Sequence, residues 1–406
     1  MSFFKHSFQM LVFRGISMLL GVVTSIILAR LLGPEDRGSL AILMISISLV
    51  CVILNFGTAE ASIYLLGSGL IKPEIVISSL FYFYVLISFI LSWPAFAFLN
   101  YLLNFDDLVI ILLILLTSIT VLNTHLRHFL IAQKKFIKYN ISVIFDSILF
   151  LLGVFLVWRY NKISIDNIII LYTISGTTVL IMSVLYLYPG ELIIRPKIKY
   201  SVMHKAFGYG FHLFLVGISG FGVQRITYFL IDFFYNTKIV GLYTAANSIP
   251  TLFLNLPQQL STVLYSYVSS STKEKKSLKL TSQVIAIILL TSGIFLLPII
   301  LFTEKITIFL FGENFIGIEK AMIILSVGTI FSGLSSVLFN YMAGTALHKY
   351  GSYMTFVNLA CISLSSIILI PRFGLNGAAF SYLITMVFSF TYITFCFMEK
   401  YYYLNK

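Results

Sequence analysis

The stretch "ILARLLGPEDRG", Ile27 to Gly38, is where one apolar run stops and another begins. Its first half carries a single charge, Arg30, and the run breaks at Gly33-Pro34. Proline opens a helix readily but cannot continue one, and glycine takes the backbone angles of a tight turn. Beyond Glu35-Asp36-Arg37-Gly38 the chain is apolar again, as "SLAILMISISLVCVIL" from Ser39 to Leu54. One membrane-length helix therefore ends here and a second starts at once. Arg30, so close to the end of an apolar span, either anchors that end or guards the exit of an internal cavity.

The whole chain repeats this pattern. Of 406 residues 59% are hydrophobic and 10% are charged, whereas a soluble domain has about 25% charged residues. The expected class is an all-α integral membrane protein. The first span is too long for a cleavable signal, and no small-residue cleavage site follows it. Cys51, Cys361 and Cys396 stand singly in apolar runs and suggest neither a disulfide framework nor a metal site. The net charge of +12 bears on topology here and not on nucleic acid, because it sits in the connections. No cofactor is called for.

A helix needs about 20 apolar residues to cross the bilayer core. By that measure 12 spans are expected, near 9–32, 39–66, 75–103, 108–132, 139–158, 165–188, 205–233, 239–268, 278–302, 318–345, 351–370 and 376–398. One side of this arrangement holds 16 of the 27 Lys and Arg residues, the other holds 7, and four lie within spans. The richer side, which includes "RPKIKYSVMHK" and "STKEKKSLK", is expected to face the cytoplasm together with both termini.

The chain also repeats itself weakly. "GIS" recurs at Gly15-Ile16-Ser17 and Gly217-Ile218-Ser219, a register that sets Arg30 against Asp232. One residue of slip then aligns Gly38 of "RGSLAI" with Gly241 of "VGLYTA". Six spans per half is an even number, so both halves enter the membrane in the same sense, as a parallel repeat. The expected domains are residues 1–200, spans one to six, and residues 201–406, spans seven to twelve.

Charges inside a membrane are costly and face an interior or a cavity. The candidates are Arg14, Arg30, Arg127 and Arg225 among the cations, and Glu60, Asp146 and Asp232 among the acids. Arg127 and Asp146 share a depth on consecutive spans and are placed to pair. Arg225 and Asp232 are seven residues apart on span seven, nearly on one face but too distant to neutralise each other. Arg225 is the deepest cation without a nearby acid on its own helix. Arg30 and Asp232 are each placed to reach the outer surface instead, and Arg127 to reach inward towards Lys134. The spacing of His125, His128, His204 and His212 matches no metal motif. Pro250 and Pro257 on span eight mark a kinked helix that lines a cavity or moves.

Several stretches carry a family resemblance. "ILARLLGPEDRGSLAI", "FLIDFFYNTKIVGLYTAANSI", "LFGENFIGIEKAMIILSVG" and "ILIPRFGLNGAAFSYLIT" resemble polysaccharide flippases of the multidrug/oligosaccharidyl-lipid/polysaccharide exporter superfamily. The resemblance runs through nearly the whole chain and fits O-antigen (Wzx-type) flippases best. It implies two six-helix lobes in a V around a central cavity, as in the related multidrug exporters, with alternating access. The implied cargo is a polyprenyl-diphosphate-linked oligosaccharide, moved between leaflets of a bacterial inner membrane for O-antigen or capsule synthesis. Cationic residues in such a cavity meet the diphosphate, and Arg225, Arg127, Arg14 and Arg30 are the ones this chain offers. Asp146, Glu60 and Asp232 are offered for charge pairing or for coupling to H+ or Na+. Membrane lipids, a polysaccharide polymerase and a chain-length regulator are the further partners implied. The competing readings are a cation-coupled drug or ion antiporter of the same superfamily, and a membrane glycosyltransferase using Asp106-Asp107. Span one lacks the acids of a cation site, and no large outer loop exists to serve a transferase; Asp106-Asp107 reads as a helix start.

Overall fold

The computed structural model describes the backbone at residues 2–68, 71–103, 107–160, 162–188, 198–270, 274–345 and 349–404. Among these residues the chain is almost wholly helical. The elements are α1 (Ser2–Asn55), α2 (Thr58–Gly67), α3 (Pro73–Leu103), α4 (Asp107–Ala132), α5 (Phe136–Arg159), α6 (Ile165–Leu187), α7 (Tyr200–Phe234), α8 (Thr237–Ser270), α9 (Glu274–Phe311), α10 (Glu319–Gly344) and α11 (Lys349–Leu404). A 3-10 turn at Glu313–Phe315 joins α9 to α10.

Ten of these described helices are long and apolar enough to cross a membrane. Two of the ten bend at a glycine: α1 at Gly33 (φ 71°) and α11 at Gly374 (φ 55°). Divided there, they bring the apolar segments to twelve. Gly33 needs its missing Cβ, because that φ is left-handed, and Pro34 restarts the helix behind it. Local chemistry places other ends. Asp107 stands in the first turn of α4, where its charge meets the positive end of the helix dipole. Ser164 caps α6 by accepting a hydrogen bond from the Asn167 amide at 3.2 Å.

Span two is not one helix, as its uniform hydropathy suggests. It breaks between α1 and α2 at Phe56 (φ 46°) and Gly57 (φ 68°). The freed Asn55 carbonyl accepts from the Thr58 hydroxyl at 2.7 Å and from the Tyr84 hydroxyl at 3.2 Å. Thr58 is also 2.6 Å from Tyr84 Oη and 3.1 Å from His125 Nε2. Backbone groups released in lipid must find partners inside the protein, and this buried knot supplies them. Phe56 packs on Phe207, Phe211 and Phe214 of α7, the last stacked at 4.7 Å.

The chain divides into two compact units. The first is Met1–Thr24 with Leu43–Ile218, and the second is Ser25–Ile42 with Ser219–Lys406. The turn after span one thus belongs with the later helices. Within the first unit, Ile77, Leu80, Tyr84, Leu113, Leu126 and Phe129 are fully buried. Within the second, Leu264, Val268, Ile288, Val337, Leu338, Tyr341 and Met342 form a core between α8, α9 and α10. The outer face of α9 is its opposite: Leu290, Ile294, Leu297 and Leu301 are 62–75% exposed. Their spacing makes one stripe, which in a soluble protein would be costly and in a bilayer meets lipid tails.

The second unit contains a reciprocal contact between its two separate pieces. A methyl on Gly38 would overlap the Thr237 carbonyl, and a methyl on Gly241 would overlap the Pro34 carbonyl. Gly38 lies inside the helical limb that follows Pro34, so its role is close packing against α8.

Candidate functional site

A polar cavity of about 690 Å³ lies within the second unit, between α7, α8, α10 and both limbs of α11. The largest polar contribution comes from α8. Asn247, Thr251, Asn255 and Gln258 recur at steps of four, four and three, which is one helical face. All four line the cavity. Carboxamides and hydroxyls on a membrane helix are costly against lipid and tolerable against a wet chamber. The facing walls add Ser332, Ser335, Asn358, Tyr382 and Ser389. Arg225 of α7 is the one charged residue among the described residues of the lining.

The described contact of Arg225 is with an aromatic ring. Its guanidinium lies over the Tyr228 ring at 5.7 Å, a favourable placement for a cation. The Tyr228 hydroxyl accepts from Asn247 Nδ2 at 3.0 Å, and the Tyr228 ring meets Tyr243 edge to face at 5.0 Å. Tyr228 is thereby fixed from two sides, and Arg225 has a defined platform. Across the cavity, Asn358 Nδ2 donates to Ser389 Oγ at 3.1 Å. The buried Asn358 Oδ1 has no hydrogen-bond partner among the described residues.

The other candidates lie elsewhere. In the first unit Arg127 Nη2 donates to Asp146 Oδ2 at 2.8 Å, and Asp146 Oδ1 accepts from the Ser175 hydroxyl. Glu60 stands 3.9 Å from His128 Nε2. Arg30 belongs to the second unit and is not among the described residues of the cavity wall. It donates through Nε to the Leu310 carbonyl at 2.8 Å and through Nη2 to that of Phe309. These are last-turn carbonyls of α9, which have no helical partner and carry the negative end of its dipole. These bonds tie the end of span one to the end of α9. Asp232 is half-buried on α7 and is not among the described residues of the cavity wall. The Arg14 side chain lies outside the described residues. Pro250 and Pro257 are both buried, in an α8 that runs unbroken through them. Gly333 of α10 packs against Pro257, whose ring atoms stand 2.8 Å from where a Cβ would be.

The Arg127–Asp146 geometry carries an expectation. Breaking a buried pair from one side leaves an uncompensated charge and costs about 3–5 kcal/mol. Asp146→Asn is expected to fall at the low end, because the pair is about one-third exposed, at 26% and 35% for the two side chains. Adding Arg127→Gln is expected to restore part of the folded yield, measured by fluorescence-detected size exclusion. A double variant no better than the worse single one would show that the pair contributes nothing.

The Asn247–Gln258 stripe was readable from sequence and went unread. Its signal is four polar residues at helical spacing through a span otherwise apolar, with Pro250 and Pro257 inside the same stretch.

Comparisons with known proteins come from two sides. The model of a family described as "polysaccharide biosynthesis protein" matches residues 27–320. No curated protein sequence matches the chain. Among solved structures, an inward-facing multidrug-resistance MATE family transporter of the MOP superfamily superposes with a TM-score of 0.76 at 14% identity, covering 94% of this chain and 95% of that one. The lipid II flippase MurJ in an inward closed conformation also gives 0.76, at 18% identity over 96% of this chain and 87% of that one. A MOP superfamily transporter from Pyrococcus furiosus, described by the reverse polarity of its binding pocket, gives 0.68 at 14% identity over 97% and 94%. At these identities the likeness concerns the fold.

Proposed function

Because the chain belongs to the polysaccharide biosynthesis protein family and has the fold of MOP superfamily transporters, we propose that it is a flippase. Its cargo is a polyprenyl-diphosphate-linked oligosaccharide, moved from the cytoplasmic to the outer leaflet for O-antigen or capsule assembly. The observation that supports this most is the chemistry of the cavity: carboxamides, hydroxyls and one guanidinium, with no carboxylate among its described lining residues. Sugar hydroxyls exchange hydrogen bonds with amides and hydroxyls, each both donor and acceptor. A guanidinium fork receives an anionic oxygen pair. An organic cation would find no acid among the described wall residues and a like charge there, which disfavours the antiporter reading. Translocation, not bond chemistry, is the activity this arrangement serves.

The test is transport by purified protein in vesicles loaded with fluorescent lipid-linked oligosaccharide, scored by quenching from outside. Protein-dependent exposure of the label is expected. Exposure no faster than in protein-free vesicles, alongside movement of an organic cation, would replace the flippase with the antiporter.

The lysine-rich connections and both termini belong, in this proposal, on the cytoplasmic side of the inner membrane. Cysteines introduced beside Lys134 and Lys275 are then expected to resist an impermeant thiol reagent in intact cells. Labelling of both from outside would reverse the orientation.

A further inference from the structure

The first unit carries another cavity, of about 540 Å³, where α3 meets the start of α7. Phe83 lines it from α3, and Ile198, Tyr200, Met203, His204 and Phe207 line it from the other side. Its floor is apolar. Phe83 meets Phe207 edge to face at 5.8 Å, and Met203 is buried. Tyr200 and His204 are exposed, one helical turn apart, with parallel rings at 6.0 Å. At 82%, Tyr200 is the most exposed large apolar side chain among the described residues. Tyrosine gathers at the headgroup level of a bilayer, so the cavity opens at the membrane interface.

That opening is cationic. Lys199 and Lys205 adjoin the lining residues in sequence, and both are exposed. The Lys199 amide donates to Ser79 Oγ at 3.2 Å, one turn of α3 before Phe83, which fixes this lysine's backbone beside the groove. Neither lysine is in an ion pair among the described residues. The sequence places Arg195 and Lys197 immediately before them.

The other end of the groove leads to lipid. Phe83, Leu86, Ile90 and Trp93 follow at steps of three, four and three, which is one helical face. The last three are 57–64% exposed. From Phe83 to Trp93 this apolar track runs about 15 Å by the helix rise.

An acidic soluble partner would use the lysines and leave the aromatic floor and its track uncovered. A zwitterionic lipid would cover the track and leave two lysines without a counter-charge. Basic pockets between membrane helices receive anionic headgroups, and a lipid with such a headgroup meets both demands. We propose that this groove is a site for an anionic glycerophospholipid. Its phosphodiester sits with Lys199 and Lys205 at the Tyr200–His204 opening, and one acyl chain lies over Phe83 and Phe207 and along Leu86 and Ile90. The lipid fastens the start of α7 to α3, whatever cargo the protein moves.

The experiment places a reporter in the groove. Phe83→Trp is made in full-length protein whose two native tryptophans are removed by Trp93→Phe and Trp158→Phe. Its fluorescence is followed in phosphatidylcholine vesicles with a rising share of brominated phosphatidylglycerol or of brominated phosphatidylcholine. Half-quenching is expected at about a thirtyfold lower share of the anionic lipid, from about 1 kcal/mol for each of two lysines. Lys199→Gln with Lys205→Gln is expected to abolish that advantage. Lys238→Gln with Lys305→Gln, which removes the same charge from exposed positions of the second unit, is expected to keep it. Equal quenching by the two lipids, or equal loss in both lysine pairs, would overturn the inference. So would displacement of the brominated lipid by polyprenyl diphosphate at a lower share than by unlabelled phosphatidylglycerol, which would give the groove to a lipid carrier. Native mass spectrometry needs no reporter: wild type should retain phosphatidylglycerol that Lys199→Gln with Lys205→Gln loses, and equal retention by the two would refute the site.

Discussion

Arg225→Ala is expected to cut export of lipid-linked saccharide by roughly 10–100-fold, because a hydrogen bond to a charged group contributes about 1.5–3 kcal/mol. Protein level and topology should survive. Arg225 meets an aromatic ring and no acid among its described contacts, so its removal strands no partner charge. Arg225→Lys is expected to fall between, since an ammonium keeps the charge and loses the planar fork. The cation acts beside a second driving force. Moving one charge across 100 mV is worth about 2.3 kcal/mol, so two negative charges leaving a negative interior gain roughly 4–5 kcal/mol. Surface polysaccharide and vesicle transport both read the result. Undiminished polysaccharide at normal Arg225→Ala expression would remove this residue from the mechanism.

Gly38→Ala and Gly241→Ala are expected to be the most destabilising small substitutions in the second unit. Overpacking a core costs about 1–3 kcal/mol, occasionally more. Here the obstacles are the backbone carbonyls of Thr237 and Pro34, which have no rotamer to turn aside, so the upper end of that range applies. Alanine otherwise favours a helix over glycine by about 1 kcal/mol. Gly217 supplies the control: it lies in α7 with nothing within 4 Å of a Cβ, and Gly217→Ala should be neutral or stabilising. Melting in detergent reads the contrast. Gly38 and Gly241 share one seam, so the double variant should lose less than the sum of the singles. A Gly38→Ala protein that melts with the Gly217→Ala control would show that the two backbones part without cost.

Local signals in the sequence and tertiary events in the fold separate cleanly here. Membrane helices are legible because lipid demands long apolar runs and closed backbone hydrogen bonds. The bend at Gly33 was legible because glycine and proline act through their own backbone. Arg127 with Asp146 could be placed side by side because depth follows from residue count. The break at Phe56 was hidden: an aromatic residue in a left-handed conformation has no local cause, and it is held by Thr58, Tyr84 and three phenylalanines of α7. The contacts of Arg30 were hidden for the same reason, since its acceptors lie 279 and 280 residues away. The cavity was half legible. Arg225 stood out by charge, whereas the α8 amides carry none and pass unnoticed until their spacing is counted.

The assignment of Ser25–Ile42 to the second unit also constrains how the protein is made. This segment leaves the ribosome early, yet the residues it packs against begin at Ser219, with 176 residues, 43–218, in between. Synthesis is slow, on the order of 5–20 residues per second, so the hairpin tip around Gly38 waits many seconds with its glycine seam uncovered. A nascent chain stalled before Ser219 is an unfinished first unit that also holds one piece of the second, and quality control would meet it as an orphan. The same logic governs splitting the gene. A cut at the midpoint of the chain gives two fragments, neither of which contains a complete unit, whereas reassembly from co-expressed halves would have to begin by threading Ser25–Ile42 into its partner.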